Sequence, residues 1–277
     1  MTWMSDEEPP MRKIGPMGWL RVLVRGVPMA IVTFGGLLIL LIVRLIERPI
    51  FGAQRPVTPR ITQYVCRFAF WILGMGHVVR GTPMQDIGAA VANHASWLDI
   101  FALNAKDRIY FVAKSEVAHW PAIGWLARAT GTMFVVRDRA EAVKQTIAME
   151  QRLQLGHRLL FFPEGTSTDG QRVLPFKPTL FQSFLADGLR DDMRIQPITV
   201  SYYAPVGEDA RFYGWWGDTD FAQHLLKALA APKHGRVVVE YHDPVAVCDH
   251  PNRKKIATIL ETKVRSRLLS DLGKPIA

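Results

Sequence analysis

An apolar run at residues 89–92 breaks off at Asn93-His94, and one acid, Asp99, follows five residues after the histidine. An imidazole and a carboxylate at this separation cannot share a helix face, because five residues turn about 140° beyond a full turn. Nor can they share a strand face, because the separation is odd. They meet only across a corner where a strand gives way to a helix. An imidazole held by a carboxylate at such a corner is a general base. The acid fixes the ring tautomer and stabilises the imidazolium as the proton arrives.

A base of this kind commonly serves a serine nucleophile, but the chain has no G-x-S-x-G elbow. Ser96 is only two residues past His94, Ser115 precedes an ordinary helix, and neither stands on a sharp Gly-flanked turn. The base is therefore expected to act on a substrate hydroxyl, which then attacks an activated acyl carbon. Further polar residues close later apolar runs: Lys114 after 108–113, Arg137 after 132–136, and Pro163-Glu164-Gly165-Thr166 after 158–162. In a parallel sheet these strand exits lie along one edge, where open α/β folds place their ligands. Arg137, with Lys114, suits an acceptor phosphate, since guanidinium presents a bidentate fork to oxyanions. Glu164, on its Pro-x-Gly turn, suits hydrogen bonds from a polyol acceptor.

The elements that must hold these groups alternate in type. Short β-rich runs at 88–92, 108–113, 132–136, 158–162, 195–202 and 236–241 are separated by candidate helices at 97–105, 121–129, 141–155, 176–186 and 221–231. A last amphipathic helix is expected at 253–272. The alternation predicts an α/β domain over 80–277, a largely parallel sheet flanked by helices. Before it, residues 1–79 read as an N-terminal two-helix membrane-associating motif. Residues 26–43 are uncharged and apolar, close to the lower length of a spanning helix. A second apolar run, 68–79, is too short to span. Arginines flank both runs, which sets no orientation but suits helices dipping into one leaflet with guanidinium groups at phosphate depth. Spanning and monotopic anchors both remain open.

With 277 residues, 49% of them hydrophobic, the chain can bury a sizeable core. The net charge of +9 suits a polyanion or an acidic membrane surface. The basic residues cluster around apolar helices and no nucleic-acid motif occurs, so nucleic acid is not an expected partner. Two isolated cysteines and scattered histidines give neither a disulfide framework nor a metal site.

Together these segments resemble the glycerolipid acyltransferases of the bacterial lysophosphatidate acyltransferase type, from about residue 80 to 245. "NHASWLD" is similar to the family's NHxxxxD block, which implies His94 as base and Asp99 as its orienting acid, with Asn93 beside the substrate. "GTMFVVR" resembles the second block, which assigns Arg137 to acceptor phosphate. "FPEGTST" resembles the third, carrying Glu164, Gly165 and Thr166 to acceptor binding. "IQPITV" resembles the fourth, with Pro197 on the acyl-donor side. The third block departs from the family's common Gly-Thr-Arg-Ser: Ser167-Thr168 stand here, and a cation is missing. Arg172 or Lys177 could supply it. Alternatively the chain resembles the branch that acylates lyso-ornithine lipid.

The resemblance implies acyl transfer from acyl-CoA or acyl-carrier protein to a lysophospholipid, foremost 1-acylglycerol-3-phosphate, with lyso-ornithine lipid as the alternative. It implies no cofactor beyond the donor substrate, membrane lipids as partners, and a catalytic domain on the cytoplasmic face of the bacterial inner membrane. Two competing classes remain. A membrane-bound hydrolase would need an exposed nucleophilic serine, and a non-catalytic lipid-binding protein would leave His94 dispensable.

Overall fold

The computed structural model describes residues 3–5, 13–86, 88–136, 141–185, 191 and 193–275. Eight strands form one sheet: β1 (Gly76–Arg80), β2 (Gly88–Ala92), β3 (Ile109–Lys114), β4 (Met133–Val135), β5 (Arg158–Phe161), β6 (Arg194–Tyr203), β7 (Arg236–Tyr241) and β8 (Val245–Ala246). Their order is β1-β7-β6-β2-β5-β3-β4, with β8 paired to β6. From β6 to β4 the strands are parallel. β7 and β8 run antiparallel to β6, and β1 lies parallel to β7. The largely parallel sheet expected from the alternation is therefore present, with an antiparallel margin.

Helices α1 (Pro16–Phe51), α2 (Thr58–Leu73), α3 (Leu98–Lys106), α4 (Ile123–Thr130), α5 (Ala142–Gln154), α6 (Phe221–Ala230) and α7 (Arg253–Asp271) surround the sheet. Alternate residues of the central strands feed two cores, as the two-residue period of a strand requires. Ala90, Ala92, Ile198, Val200 and Tyr202 join Cys66 and Phe70 of α2, Leu98 and Leu103 of α3, and Leu229 of α6. Ala89, Val91 and Ile195 join Met149 and Leu153 of α5 with Ile256, Leu260 and Val264 of α7.

Three expected elements differ from those observed. The apolar run at 68–79 is two elements. α2 ends at Gly74, whose φ of 68° is the left-handed conformation that a helix C-terminus favours, and the chain then pairs as β1. The expected boundary after residue 79 falls inside that strand. The expected helix at 176–186 is a 3₁₀ segment, Pro178–Leu185. Pro178 has no N–H to donate, and the Phe176 N–H instead reaches Glu261 Oε2 on α7, 2.8 Å away. The apolar run at 26–43 is the middle of α1, which is 36 residues long, about 54 Å at 1.5 Å per residue.

α1 is long and apolar enough to cross a membrane. Its most apolar stretch has mean hydropathy 2.5 with 11% of that stretch buried. Leu23, Val27, Ile31, Leu38, Ile42 and Leu45 are exposed along it. The arginines expected at phosphate depth mostly serve another purpose, because they cap helix C-termini. Arg25 donates to the Leu229 and Ala231 carbonyls at the end of α6, at 3.0 and 2.6 Å. Arg44 donates to Gly52 and Gln54 O beyond the end of α1 itself, and Arg55 to Ala129 O of α4 at 2.7 Å. Free carbonyls and the negative dipole end attract these cations.

Arg25 thus ties α1 to the domain. Hydrogen bonds from a charged group contribute about 1.5–3 kcal/mol each. Arg25→Gln is expected to lower stability by roughly that amount, read as a shift of the urea midpoint in detergent solution. An unchanged midpoint would show that apolar packing alone holds α1.

Candidate active site

β2 leaves the sheet at Ala92, and the next two residues make the corner. The Asn93 side chain prolongs the sheet where the backbone departs. Its Nδ2 donates to Val200 O at 2.9 Å, and its Oδ1 accepts from Val200 N at 2.8 Å. Asn93, expected beside the substrate, thus has both ends of its amide engaged by β6. The turn that follows places His94 Nδ1 2.7 Å from Asp99 Oδ2.

Asp99 is wholly buried in the first turn of α3. Its Oδ2 also accepts from the Ala95 and Ser96 amides at 2.8 and 3.0 Å, and its Oδ1 accepts from the Tyr202 hydroxyl at 2.7 Å. Burial, with the Asp99 charge beside it, pushes the Tyr202 phenol well up from its ordinary value, so it remains a donor. Surrounded by donors, Asp99 is an acceptor, and Nδ1–H of His94 donates to it. The His94 lone pair is then on Nε2, which no described protein group engages. The ring lies flat on Phe162, centroids 4.0 Å apart and planes 12° apart. The His94 side chain is 18% exposed, so the base faces outward from a closed corner.

Glu164 comes from the chain leaving β5, the strand next to β2. It is buried, and its Oε1 accepts the His94 amide at 2.7 Å while Oε2 accepts the Leu174 amide at 2.6 Å. Both carboxylate oxygens, expected to receive acceptor hydroxyls, thus hold backbone. Burial outweighs these two bonds and pushes the carboxyl up to about 8. Gly165 has φ +72°, and a Cβ there would stand 2.6 Å from Lys177 Nζ. Thr166 Oγ1 accepts the Trp3 amide at 3.2 Å. The N-terminal segment reaches on to Gly217, whose amide donates to Trp3 O at 3.2 Å, so it lies across the third block and the Trp215-Trp216 loop.

Lys114 ends β3 on the same edge, two strands from β2. Pro197 is buried inside the sheet, opposite Val91. Arg137 lies outside the described residues. Of the two candidates for the missing cation, Arg172 is engaged by Asp169 at 2.9 Å and lies over the Trp3 ring. Lys177 lies against Gly165. The two serines weighed as nucleophiles are both occupied elsewhere: buried Ser96 accepts from Leu98 N, and Ser115 bonds Glu116.

Sequence reasoning missed Tyr202, Phe162 and the support of the Trp97 ring. Trp97 Nε1 donates to buried His224 Nδ1 at 2.9 Å, and burial pushes that imidazole down to about 4, keeping it a neutral acceptor. Tyr202 had one available signal. It shares strand parity with Val200, the residue that receives Asn93.

Comparison with known proteins gives the family. The acyltransferase family model matches residues 83–201, spanning every block but the tail of the domain. The chain is 57% identical over 264 residues to a lyso-ornithine lipid O-acyltransferase of Rhodobacter capsulatus, covering 95% of this chain and 96% of that protein. It is 36% identical over 133 residues to a 1-acyl-sn-glycerol-3-phosphate acyltransferase of Neisseria gonorrhoeae, covering 47% and 51% respectively. The crystal structure of the 1-acyl-sn-glycerophosphate acyltransferase PlsC of Thermotoga maritima superposes with a TM-score of 0.64 at 20% identity, covering 94% of this chain and 98% of that one, and so shares the fold. The family model and a relative aligned end to end at 57% identity identify the chain as a member of the acyltransferase family and an O-acyltransferase.

Proposed function

We propose that this enzyme transfers a fatty acyl group from a thioester to the free hydroxyl of lyso-ornithine lipid at a membrane surface, with His94 as general base. The end-to-end similarity to the Rhodobacter capsulatus protein carries the acceptor assignment. It moves lyso-ornithine lipid ahead of lysophosphatidate, which led on block resemblance alone. Two local features support it. Ser167 stands where a phosphate-binding arginine is common, and Lys177 lies against the turn. An amino-acid head group brings a carboxylate for that lysine and an ammonium that a second cation would repel.

In this reading Nε2 removes the acceptor hydroxyl proton as its oxygen attacks the thioester carbonyl. Asp99 stabilises the imidazolium through Nδ1–H. The tetrahedral intermediate then collapses, the C–S bond breaks, and the imidazolium proton passes to the departing thiolate. The products are the ester and the free thiol. Acyl-CoA and acyl-carrier protein both supply such a thioester. The lipid acceptor reaches the site from the bilayer that the exposed face of α1 enters, and the cytoplasmic side of the inner membrane is where those thioesters are found.

Removing a general base costs about 10²–10⁴ in rate. His94→Ala is expected to lose at least that in turnover while thermal unfolding in detergent stays unchanged. More than a tenth of wild-type turnover would sink the assignment. Asp99→Asn is also expected to be severe, because the carboxamide cannot fix the ring tautomer as the carboxylate does.

Ser167→Arg separates the acceptors. On lyso-ornithine lipid it is expected to lower activity through repulsion of the ornithine ammonium, and on lysophosphatidate to raise it. The reverse pattern would return lysophosphatidate to first place.

Glu164 gives the corner a pH signature. Its unfolded carboxyl ionises near 4.5, whereas the folded one keeps its proton to about 8. Folded protein therefore holds more protons across that interval, and stability falls as pH rises through it. Melting temperatures of wild type should decline from about pH 5 to about pH 8, and those of Glu164→Gln should show a shallower dependence. Parallel profiles would mean that Glu164 is ionised in the native state.

A further inference from the structure

We propose that the groove between α2, β1 and the end of α3 binds the head group of an anionic phospholipid. The groove has a volume of about 340 Å³ and is lined by Arg67, Phe70, His77, Val79, Ala105 and Lys106. Since one water occupies about 30 Å³ of liquid, it has room for a phosphate and its first substituents. It lies outside the corner that holds His94. The inference rests on the enzyme working at a lipid surface.

The charges here are of one sign. Arg67 uses Nε for the Ala105 carbonyl at 2.7 Å, which caps α3, while its two terminal nitrogens bond no described protein group. Lys106, the last residue of α3, is exposed and its ammonium pairs with no described carboxylate. The adjacent acid, Asp107, is taken by Arg158. The floor is uncharged, with the Phe70 ring against His77, centroids 5.1 Å apart. His77 Nε2 lies 2.8 Å from Ala102 O, and a carbonyl only accepts, so that nitrogen carries the proton. Burial, then repulsion by Arg67 and Lys106, holds the imidazole below its ordinary value and therefore neutral. A guanidinium fork and an ammonium over such a floor suit a phosphate monoanion.

The surroundings select a lipid as its source. Tyr64, Arg67, Phe68 and Trp71 fall at i, i+3, i+4 and i+7, one face of α2. Tyr64, Phe68 and Trp71 are exposed on that face, Trp71 by 78%, and Val78 of β1 is exposed beside them. The opposite face, Cys66, Ala69, Phe70 and Leu73, is buried. Aromatic and basic side chains sharing a face are the composition of a helix lying in a membrane interface. A phosphate held by Arg67 and Lys106 leaves its acyl chains beside this aromatic face. Arg21, Arg25, Arg44 and Arg55 hold carbonyls, as Arg67 does through Nε, so the groove adds the Lys106 ammonium to the terminal nitrogens of Arg67.

The test uses full-length protein in neutral detergent with three probes: monomeric dihexanoyl-phosphatidylglycerol, dihexanoyl-phosphatidylcholine and inorganic phosphate. Phosphatidylglycerol is expected to raise the melting temperature saturably, and the other two are not. Lys106→Gln, and the pair Arg67→Gln with Lys106→Gln, should weaken that response about tenfold or more, the loss of one charge-assisted contact. Lys254→Gln with Lys255→Gln on α7, an equal change of charge, should leave it intact. Turnover in neutral micelles should be the same for all, which separates this proposal from the catalytic assignment. An equal response to phosphatidylcholine, or equal loss in the α7 pair, would overturn the site. A response to phosphate that matches phosphatidylglycerol would overturn the lipid as its occupant.

Discussion

One buried carboxylate fixes the His94 corner. Asp99 receives two backbone amides, a phenol and an imidazole, four donors for two oxygens. Burial of an ionised acid is costly unless each lone pair finds a donor, so the chain between His94 and Asp99 has little choice of path. The amides of Ala95 and Ser96 must point inward, and the imidazole joins them on the same oxygen. Even the hydroxyl from β6 belongs to this set, which couples the corner to the sheet behind it. The imidazole is aimed because the acid is satisfied.

Glu164 reinforces the same corner from the neighbouring strand. It grips the His94 amide with one oxygen and the Leu174 amide with the other, so the third block and the first are fastened through backbone. Thr168 N adds a bond to His94 O, and Trp215 N one to Ala95 O. Farther out, arginines of α1 close the free carbonyls of α6, and α6 carries the His224 that holds Trp97. α1 is thus linked through α6 and His224 to Trp97, on the segment between His94 and Asp99.

Much of this was legible in the chain. The strand-helix alternation gave the parallel sheet, and the odd spacing of His94 and Asp99 required a corner. His94, Lys114 and Glu164 leave the sheet on one edge because parallel strands share their exit. The rest was hidden for physical reasons. β1 merged with α2 because apolarity continues across the Gly74 reversal, and hydrophobicity carries no mark of direction. The arginines of α1 read as lipid contacts because their partners are carbonyls, which every residue has. Glu164 and Asn93 read as ligand groups because a polar side chain at a strand exit looks the same whether it meets substrate or backbone. Only the partner's position, set by distant β6 and by the segment around Leu174, tells the two apart.

The Asn93 amide deserves to be followed in time as well as in space. It stands in for a missing peptide group, offering Val200 one donor and one acceptor as a neighbouring strand would. Only a carboxamide has that pair of ends. Hydrolysis of this side chain takes up one water, releases ammonia and leaves an aspartate. Its second oxygen would then confront the Val200 carbonyl, two acceptors and a negative charge in a buried place. The molecule would gain a single mass unit and lose the seam on which its catalytic corner hangs. While β2 and β6 remain paired, Val200 holds both ends of that amide, and opening of the sheet at this point would release it to water.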